Sequence, residues 1–134
     1  PAGVGDETVT VITSEALSAG DFVNIFNDGG TAKAQKALAA DATKLAVGYV
    51  LAAYGIGDSA VVYTDQLNDK VALGTFNIAD LGKEVCLSAS TGGAVTLTPP
   101  SATGNVVQPL GKIITVGASF ITIEFEAKPA ILRA

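Results

Sequence analysis

The sequence predicts an all-β protein, folded as one compact sandwich or barrel of short strands with at most one or two short helical turns. Short stretches repeatedly alternate apolar and polar residues, which is the pattern of strands with one buried face. Glycine is abundant, with 15 residues, and recurs between these stretches, where turns are expected. There is no strand–helix–strand alternation and no internal repeat, so the 134 residues fit one domain.

The N-terminal segment, residues 1–13, has two interpretations. Residues 1–6 are small and glycine-containing, which is typical of an extended arm, whereas residues 8–12 alternate and place Val9 and Val11 on one face. The segment is therefore either an arm that adds a strand to a partner's sheet or an edge strand of this domain. The residues alone are compatible with both interpretations.

The next residues begin the main β domain, which we assign to residues 14–126. Residues 14–21 are expected to form a turn or short bend that ends at Gly20. Residues 22–27 and 31–35 are predicted strands, joined by a hairpin turn at Asp28-Gly29-Gly30 because glycine tolerates positive φ. Residues 36–44 are predicted to be a loop with at most one helical turn, and the apolar residues 45–53 a buried strand.

The second half of the domain continues with short strands. Residues 59–64 and 70–73 are predicted strands separated by a turn at 65–69. Asn77 is expected to cap a single helical turn that ends at Gly82. The remaining predicted strands cover residues 84–89, 94–98, 106–116 and 120–126.

The last of these strands has the clearest pattern in the chain. Ile121, Ile123 and Phe125 alternate with polar residues, which predicts one buried and one solvated face. Residues 127–134 follow as a C-terminal tail that contains the apolar pair Ile131-Leu132.

Composition argues against several functional classes. The net charge of −5 and the scattered basic residues do not suit a nucleic-acid interface. No apolar run approaches the length of a membrane span. The single cysteine, Cys86, lies in a strand-like run and is expected to be a small buried residue.

Catalytic and metal-binding patterns are also missing from the sequence. Histidine is absent, which removes serine–histidine and cysteine–histidine arrangements and histidine-ligated metals. Gly57-Asp58-Ser59 has no accompanying base and is expected to be a turn. The acidic stretch 65–69 lacks the downstream glutamate of a calcium loop. We therefore expect a non-enzymatic protein with no cofactor and no metal.

Several segments, in this order, resemble a family of tailed-bacteriophage virion proteins. The first half of the resemblance is carried by AGDFVNI at residues 19–25 and GYVLAA at residues 48–53. The second half is carried by VCLSAS at 85–90, GGAVT at 92–96, Pro99-Pro100 and GNVVQPLG at 104–111. The stretch Gly-Asn-Val-Val-Gln is the most specific part, and the resemblance extends from about residue 14 to 126. Members of this family are capsid decoration (cement) proteins and related head-fibre modules.

The resemblance implies a β-rich module, often a homotrimer, on the outer surface of the virion capsid, with the major capsid protein as its partner. It implies no catalytic residue and transfers no contact residue. The chain has no long fibrous extension, which favours a compact cement protein. From the residues themselves, the apolar side chains of the two terminal segments are the candidate capsid contacts: Val4, Val9, Val11, Ile131 and Leu132.

The alternative function is a receptor-binding or carbohydrate-binding module of a head or tail fibre. Such a module needs exposed aromatic side chains in a groove, and the candidates are Tyr49, Tyr54 and Tyr63. An enzyme ranks third among the possible functions, because the sequence offers no acid–base pair.

Overall fold

A computed structural model describes residues 8–133 and confirms the all-β fold. Within that range there are twelve strands and one single-turn 3-10 helix, Ile78–Asp80. The first six strands are β1 (Thr8–Thr13), β2 (Phe22–Asp28), β3 (Thr31–Lys36), β4 (Gly48–Tyr49), β5 (Ser59–Tyr63) and β6 (Leu67–Ala72). The other six are β7 (Glu84–Leu87), β8 (Val95–Thr96), β9 (Val106–Val107), β10 (Pro109–Val116), β11 (Phe120–Phe125) and β12 (Ile131–Leu132).

Strands β1 to β5 form a small closed barrel in the order β1-β3-β2-β4-β5. The β2–β3 hairpin turns at Gly29 and Gly30, both with positive φ, as the sequence predicts. Strand β1 pairs antiparallel with β5 and parallel with β3, which closes the barrel. Residues 8–12 pair with β5, and Ile12 and Thr13 also pair with β3, so β1 is a strand of the barrel and the docking-arm interpretation does not apply to residues 8–13.

A second, open sheet has the order β6-β11-β10-β7-β8, and a two-stranded ribbon is formed by β9 and β12. Gly111 allows β10 to pass close to β11, since a Cβ atom there would overlap the carbonyl of Glu124. The C-terminal tail thus contributes a strand, β12, that pairs antiparallel with β9.

The barrel and the open sheet share one apolar core. Phe22 and Tyr49 of the barrel lie against Phe125 of β11, with ring centroids 5.7 Å and 5.6 Å from that of Phe125. The contacts between these rings stabilise the core in addition to the stabilisation that comes from burial of their apolar area. A smaller apolar cluster, which includes Val11, Val23 and Val62, fills the barrel interior.

Two local predictions are confirmed in detail. Ile121, Ile123 and Phe125 are buried along β11 while Glu124 is exposed, so the face assignment is correct. Asn77 accepts a hydrogen bond from the Ala79 N–H, and Asp80 accepts one from the Asn77 N–H, which completes a capping box at the 3-10 helix.

The loop predicted at residues 36–44 is confirmed, and it contains turns without a helical turn. Three boundary predictions are wrong. The turn predicted at 65–69 is shorter, because β6 begins at Leu67. The strand predicted at 106–116 is divided into β9 and β10 at Gln108, whose side chain is turned into the core. The buried strand predicted at 45–53 is reduced to β4.

The reduction of 45–53 to two strand residues has a physical cause. Ala46 and residues 48–50 are buried, but the backbone of the run does not have one strand as its partner along its whole length. Regular pairing with β2 is limited to Gly48 and Tyr49, and the backbone of Ala46 bonds instead to the Gln108 side chain. A continuous ladder therefore cannot form along this segment.

In the part of the chain that the structure describes, no helix has the length and apolar character needed to cross a bilayer.

Candidate functional site

The groups that could carry chemistry are held in structural roles. Cys86 is buried in β7, where desolvation and, second, the negative charge of Glu84 raise the pKa of its thiol. A raised pKa disfavours the reactive thiolate. Asp58 accepts the Gly55 N–H at 2.7 Å and so stabilises a turn. Between residues 8 and 133 there is no cluster of three or more cysteine, aspartate or glutamate side chains that could hold a metal ion.

The three tyrosines are engaged inside the protein. Tyr49 is fully buried, its hydroxyl donates to the Asp65 carbonyl, and its ring stacks on that of Tyr63. The Tyr54 hydroxyl accepts a hydrogen bond from the Val61 N–H. These contacts stabilise the barrel, and the rings do not line a common groove.

The predicted capsid-contact residues fall on different parts of the molecule. Val4 lies outside the described residues. Val9 of β1 is 44% exposed on the barrel, whereas Val11 is 8% exposed and belongs to the barrel core. Ile131 and Leu132 lie on the β9–β12 ribbon and are 65% and 60% exposed. Val9, Ile131 and Leu132 are therefore exposed to a partner, whereas Val11 is not, and the structure does not bring Val9 and the β12 residues onto one strand.

The ribbon that carries Ile131 and Leu132 is held by backbone hydrogen bonds. The Arg133 N–H donates to the Asn105 carbonyl at 2.7 Å, and the Gly104 N–H donates to the Arg133 carbonyl at 2.9 Å. On the other side, the Val106 N–H donates to the Ala39 carbonyl. Strand β12 has β9 as its one neighbour in the described part of the chain, so its outer edge is open.

Gln108 is an anchor that sequence reasoning missed. Its side-chain oxygen accepts the Ala46 N–H at 2.8 Å, and its side-chain nitrogen donates to the Ala46 carbonyl at 2.9 Å. The amide acts as a substitute strand neighbour for Ala46 and fastens the ribbon to the segment before β4. The sequence signal was a polar residue, Gln108, between two apolar strands, but its hydrogen-bond partner, Ala46, is 62 residues away in the chain.

A cleft of about 660 Å³ lies where the barrel meets the open sheet. Its walls are the turn at residues 18–21, the end of β6, the loop around Phe76 and strand β8 with the residues on either side. Nothing in the sequence indicated this cleft, because its walls come from four separate segments.

Two charged side chains lie in the cleft. Burial raises the pKa of the Asp21 carboxyl, and a hydrogen bond from the Ser18 N–H and the charge of Lys36 counteract that effect. Lys70 lies with its ammonium 5.5 Å from the centre of the Phe120 ring, a cation–π contact. The rest of the lining is mainly apolar or backbone.

Comparison with protein-family models, with curated proteins and with solved structures finds no match to this chain.

Proposed function

We propose that this chain is a structural protein of a tailed-phage virion, bound to the outer surface of the capsid, where it stabilises contacts between major capsid protein subunits. The observation that supports this most is the open apolar edge of β12. The resemblance of GNVVQPLG to decoration proteins falls on β9 and the start of β10, the elements that hold that edge in place.

An open edge strand usually carries charged residues or proline, which prevent pairing with other chains. The two residues of strand β12 are instead Ile131 and Leu132, both exposed, on a ribbon held by backbone hydrogen bonds. Such an edge suits addition of a partner strand, with main-chain hydrogen bonds and apolar contacts made together. Val9 on the barrel is a second exposed apolar side chain that a capsid subunit can cover.

The proposed mechanism is mechanical. Each contact is weak, but a homotrimer that binds across neighbouring capsid subunits multiplies the contacts and gains avidity. The net charge of −5 suits a neutral or basic capsid surface.

Sedimentation at micromolar concentration should show a species larger than the monomer, or one that forms on the capsid. A chain that stays monomeric in solution and on particles contradicts the trimer.

The test of the binding surface uses heads of the encoding phage that lack this protein. The variant carries Ile131→Lys and Leu132→Lys, and the matched control is Ile56→Lys, since Ile56 is 75% exposed in a turn of the barrel. Loss of two buried aliphatic contacts, each worth about 1.5–3 kcal/mol, should weaken binding at least about 100-fold.

The control variant should bind as the parent does, and all three proteins should melt at similar temperatures because none of the substituted side chains is buried. Equal binding by the double variant and the control excludes the β12 edge as the capsid contact. A fibre module that binds carbohydrate has less support, since the tyrosines it needs are engaged internally.

A further inference from the structure

The cleft beside the barrel lies between the two edges of the open sheet. That sheet begins at β6 and ends at β8, and the cleft is lined by Val71 and Ala72 of β6 and by Val95 and Thr96 of β8. Both edges of the sheet therefore meet the same cavity. A sheet curled in this way resembles a barrel that lacks one strand.

The directions of the five strands leave a place for one more antiparallel strand. Each neighbouring pair, β6–β11, β11–β10, β10–β7 and β7–β8, is antiparallel, so β6 and β8 run in the same direction. One added strand can therefore run antiparallel to both edges, whereas direct closure would make β6 and β8 a parallel pair. The β1–β5 barrel, which also has five strands, does close through a parallel pair, β1 with β3.

The backbone of β8 presents hydrogen-bonding groups on the side away from β7. The Ser88 N–H donates to the Ala94 carbonyl, so Ala94 faces β7. Successive residues of an antiparallel strand bond to opposite sides, which turns the N–H and carbonyl groups of Val95 and Leu97 away from β7. These groups are the complement of an extended segment.

The backbone of β6 offers a smaller set of groups on its own outer side. The Leu73 N–H donates to the Ser119 carbonyl next to β11, so the same alternation turns the backbone of Ala72 away from β11. Since Ala72 also lines the cleft, the cavity has main-chain groups on two of its walls.

The side chains of the cleft suit an occupant with alternate apolar residues. Val71, Phe76, Val95 and Leu97 line the cavity, and all four pack against the main core while remaining half-buried. Val95 and Leu97 share one face of β8, because residues two apart in a strand point the same way. Residues opposite these two in an added strand would share that apolar face.

A carboxyl group lies at one end of the cleft. Asp21 is so close to Gly93 that a Cβ atom there would come within 2.8 Å of its carboxyl carbon. The nearest other charges, Lys36 and Glu15, are opposite in sign and offset each other. The Lys70 ammonium is already engaged in the cation–π contact described above. Asp21 is therefore the charge that a partner meets, and a cationic side chain is its complement.

We propose that the cleft binds an extended segment of a partner protein as a sixth, antiparallel strand, with two alternate apolar residues in the cavity and a lysine or arginine at Asp21. Because the segment runs antiparallel to β8, its apolar residues lie opposite Leu97 and then Val95, and the basic residue follows towards Gly93. In such strand addition the main-chain bonds supply affinity and the side-chain pockets supply specificity.

This inference goes beyond capsid binding and does not depend on it, since the cleft and the β12 edge belong to different elements. The net charge of −5 favours a partner with a basic segment. Occupation of the cleft covers both edges of the open sheet, and a bound segment should raise the melting temperature as its concentration rises.

The test uses a synthetic peptide, acetyl-Gly-Val-Thr-Val-Thr-Lys-Gly-amide, as the probe. It is titrated to millimolar concentration into the isotope-labelled full chain, and amide resonances report where it binds. We expect saturable shifts at Val95, Leu97 and Ala72, which face the cleft, and unchanged resonances at Leu132 of β12.

Two control peptides separate strand addition from other modes of binding. In the first, both valine nitrogens are methylated, which removes the two donors aimed at β8 and keeps the side chains; it should bind at least about tenfold more weakly. In the second, norleucine replaces lysine. Asp21→Asn removes the charge but keeps an oxygen that can accept the Ser18 N–H, and it should weaken binding of the lysine peptide at least about fivefold and leave binding of the norleucine peptide unchanged.

Several results overturn the proposal. They are absence of saturable shifts, shifts confined to β12, and equal binding of the parent and N-methylated peptides by the unmodified protein, a comparison that needs no variant to fold. Equal effects of Asp21→Asn on the lysine and norleucine peptides overturn the basic residue of the partner. Shifts at Val95 and Leu97 that appear as the protein is concentrated without peptide identify a second copy as the occupant, which also overturns it.

Discussion

Replacement of Gln108 by leucine should strongly destabilise the protein, although leucine has a similar size and is apolar. Gln108 is buried, and its amide makes two hydrogen bonds to the backbone of Ala46, which is itself buried. Leucine leaves the N–H and the carbonyl of Ala46 without partners in the core. Each orphaned buried group costs roughly 1–3 kcal/mol, so the free energy of unfolding should fall by about 2–5 kcal/mol after a partial offset from the added apolar contact.

The matched control for this substitution is Gln35→Leu. Gln35 is half-buried and donates one hydrogen bond, to the Asn24 side chain at 3.0 Å. Its loss should cost about 1 kcal/mol. Urea unfolding measures both variants, and an unchanged slope shows that the difference lies in stability. Amide exchange at Ala46 should also accelerate in the Gln108 variant alone.

Two results are contrary to this prediction: a Gln108→Leu protein that unfolds within about 0.5 kcal/mol of the parent, or equal destabilisation of the two variants. Either result means that the amide of Gln108 does not join the ribbon to the segment before β4.

Three further predictions concern the core, the 3-10 helix and the N-terminus. Ile123→Ala should cost about 2–5 kcal/mol, since Ile123 is fully buried, and Thr122→Ala on the other face should cost far less; equal shifts in the melting midpoint contradict the face assignment. The Asn77 N–H and, second, Lys83 lower the pKa of Asp80, so its contribution to stability is present above the usual carboxyl range and is lost as the pH falls through the lowered value. The stability deficit of Asp80→Asn should therefore shrink below about pH 4, and a constant deficit between pH 7 and pH 3 is the contrary result. Removal of residues 1–13 deletes β1 from a closed barrel and should prevent folding, which circular dichroism can detect, whereas removal of 1–7 should leave the barrel folded.

The sequence predicts those elements whose evidence is local. Strand β11 alternates over six residues, and the β2–β3 turn has two adjacent glycines, so both are recognisable without knowledge of the rest of the fold. The 3-10 helix is likewise specified by Asn77 and Gly82 at its two ends. In each case the residues that determine the conformation are neighbours in the chain.

Elements that depend on distant contacts could not be predicted. The apolar residues 45–53 have the composition of a strand, but the distant Gln108 side chain bonds to the backbone of Ala46, and pairing with β2 is limited to Gly48 and Tyr49. The parallel pairing of β1 with β3 shows in no local pattern, and neither does the cleft between β6 and β8. For the candidate contacts, alternation correctly placed Val9 and Val11 on one face of β1, yet only the barrel determines that Val11 is enclosed.

The proposed place of this protein on the capsid is tested most directly by electron microscopy of virions. Particles of the encoding phage are labelled in negative stain with a gold-conjugated antibody raised against this chain. Decoration of the capsid predicts label distributed over the head and absent from the tail. Label confined to the tail or to fibre tips, or no label above that on particles without the protein, contradicts the proposal.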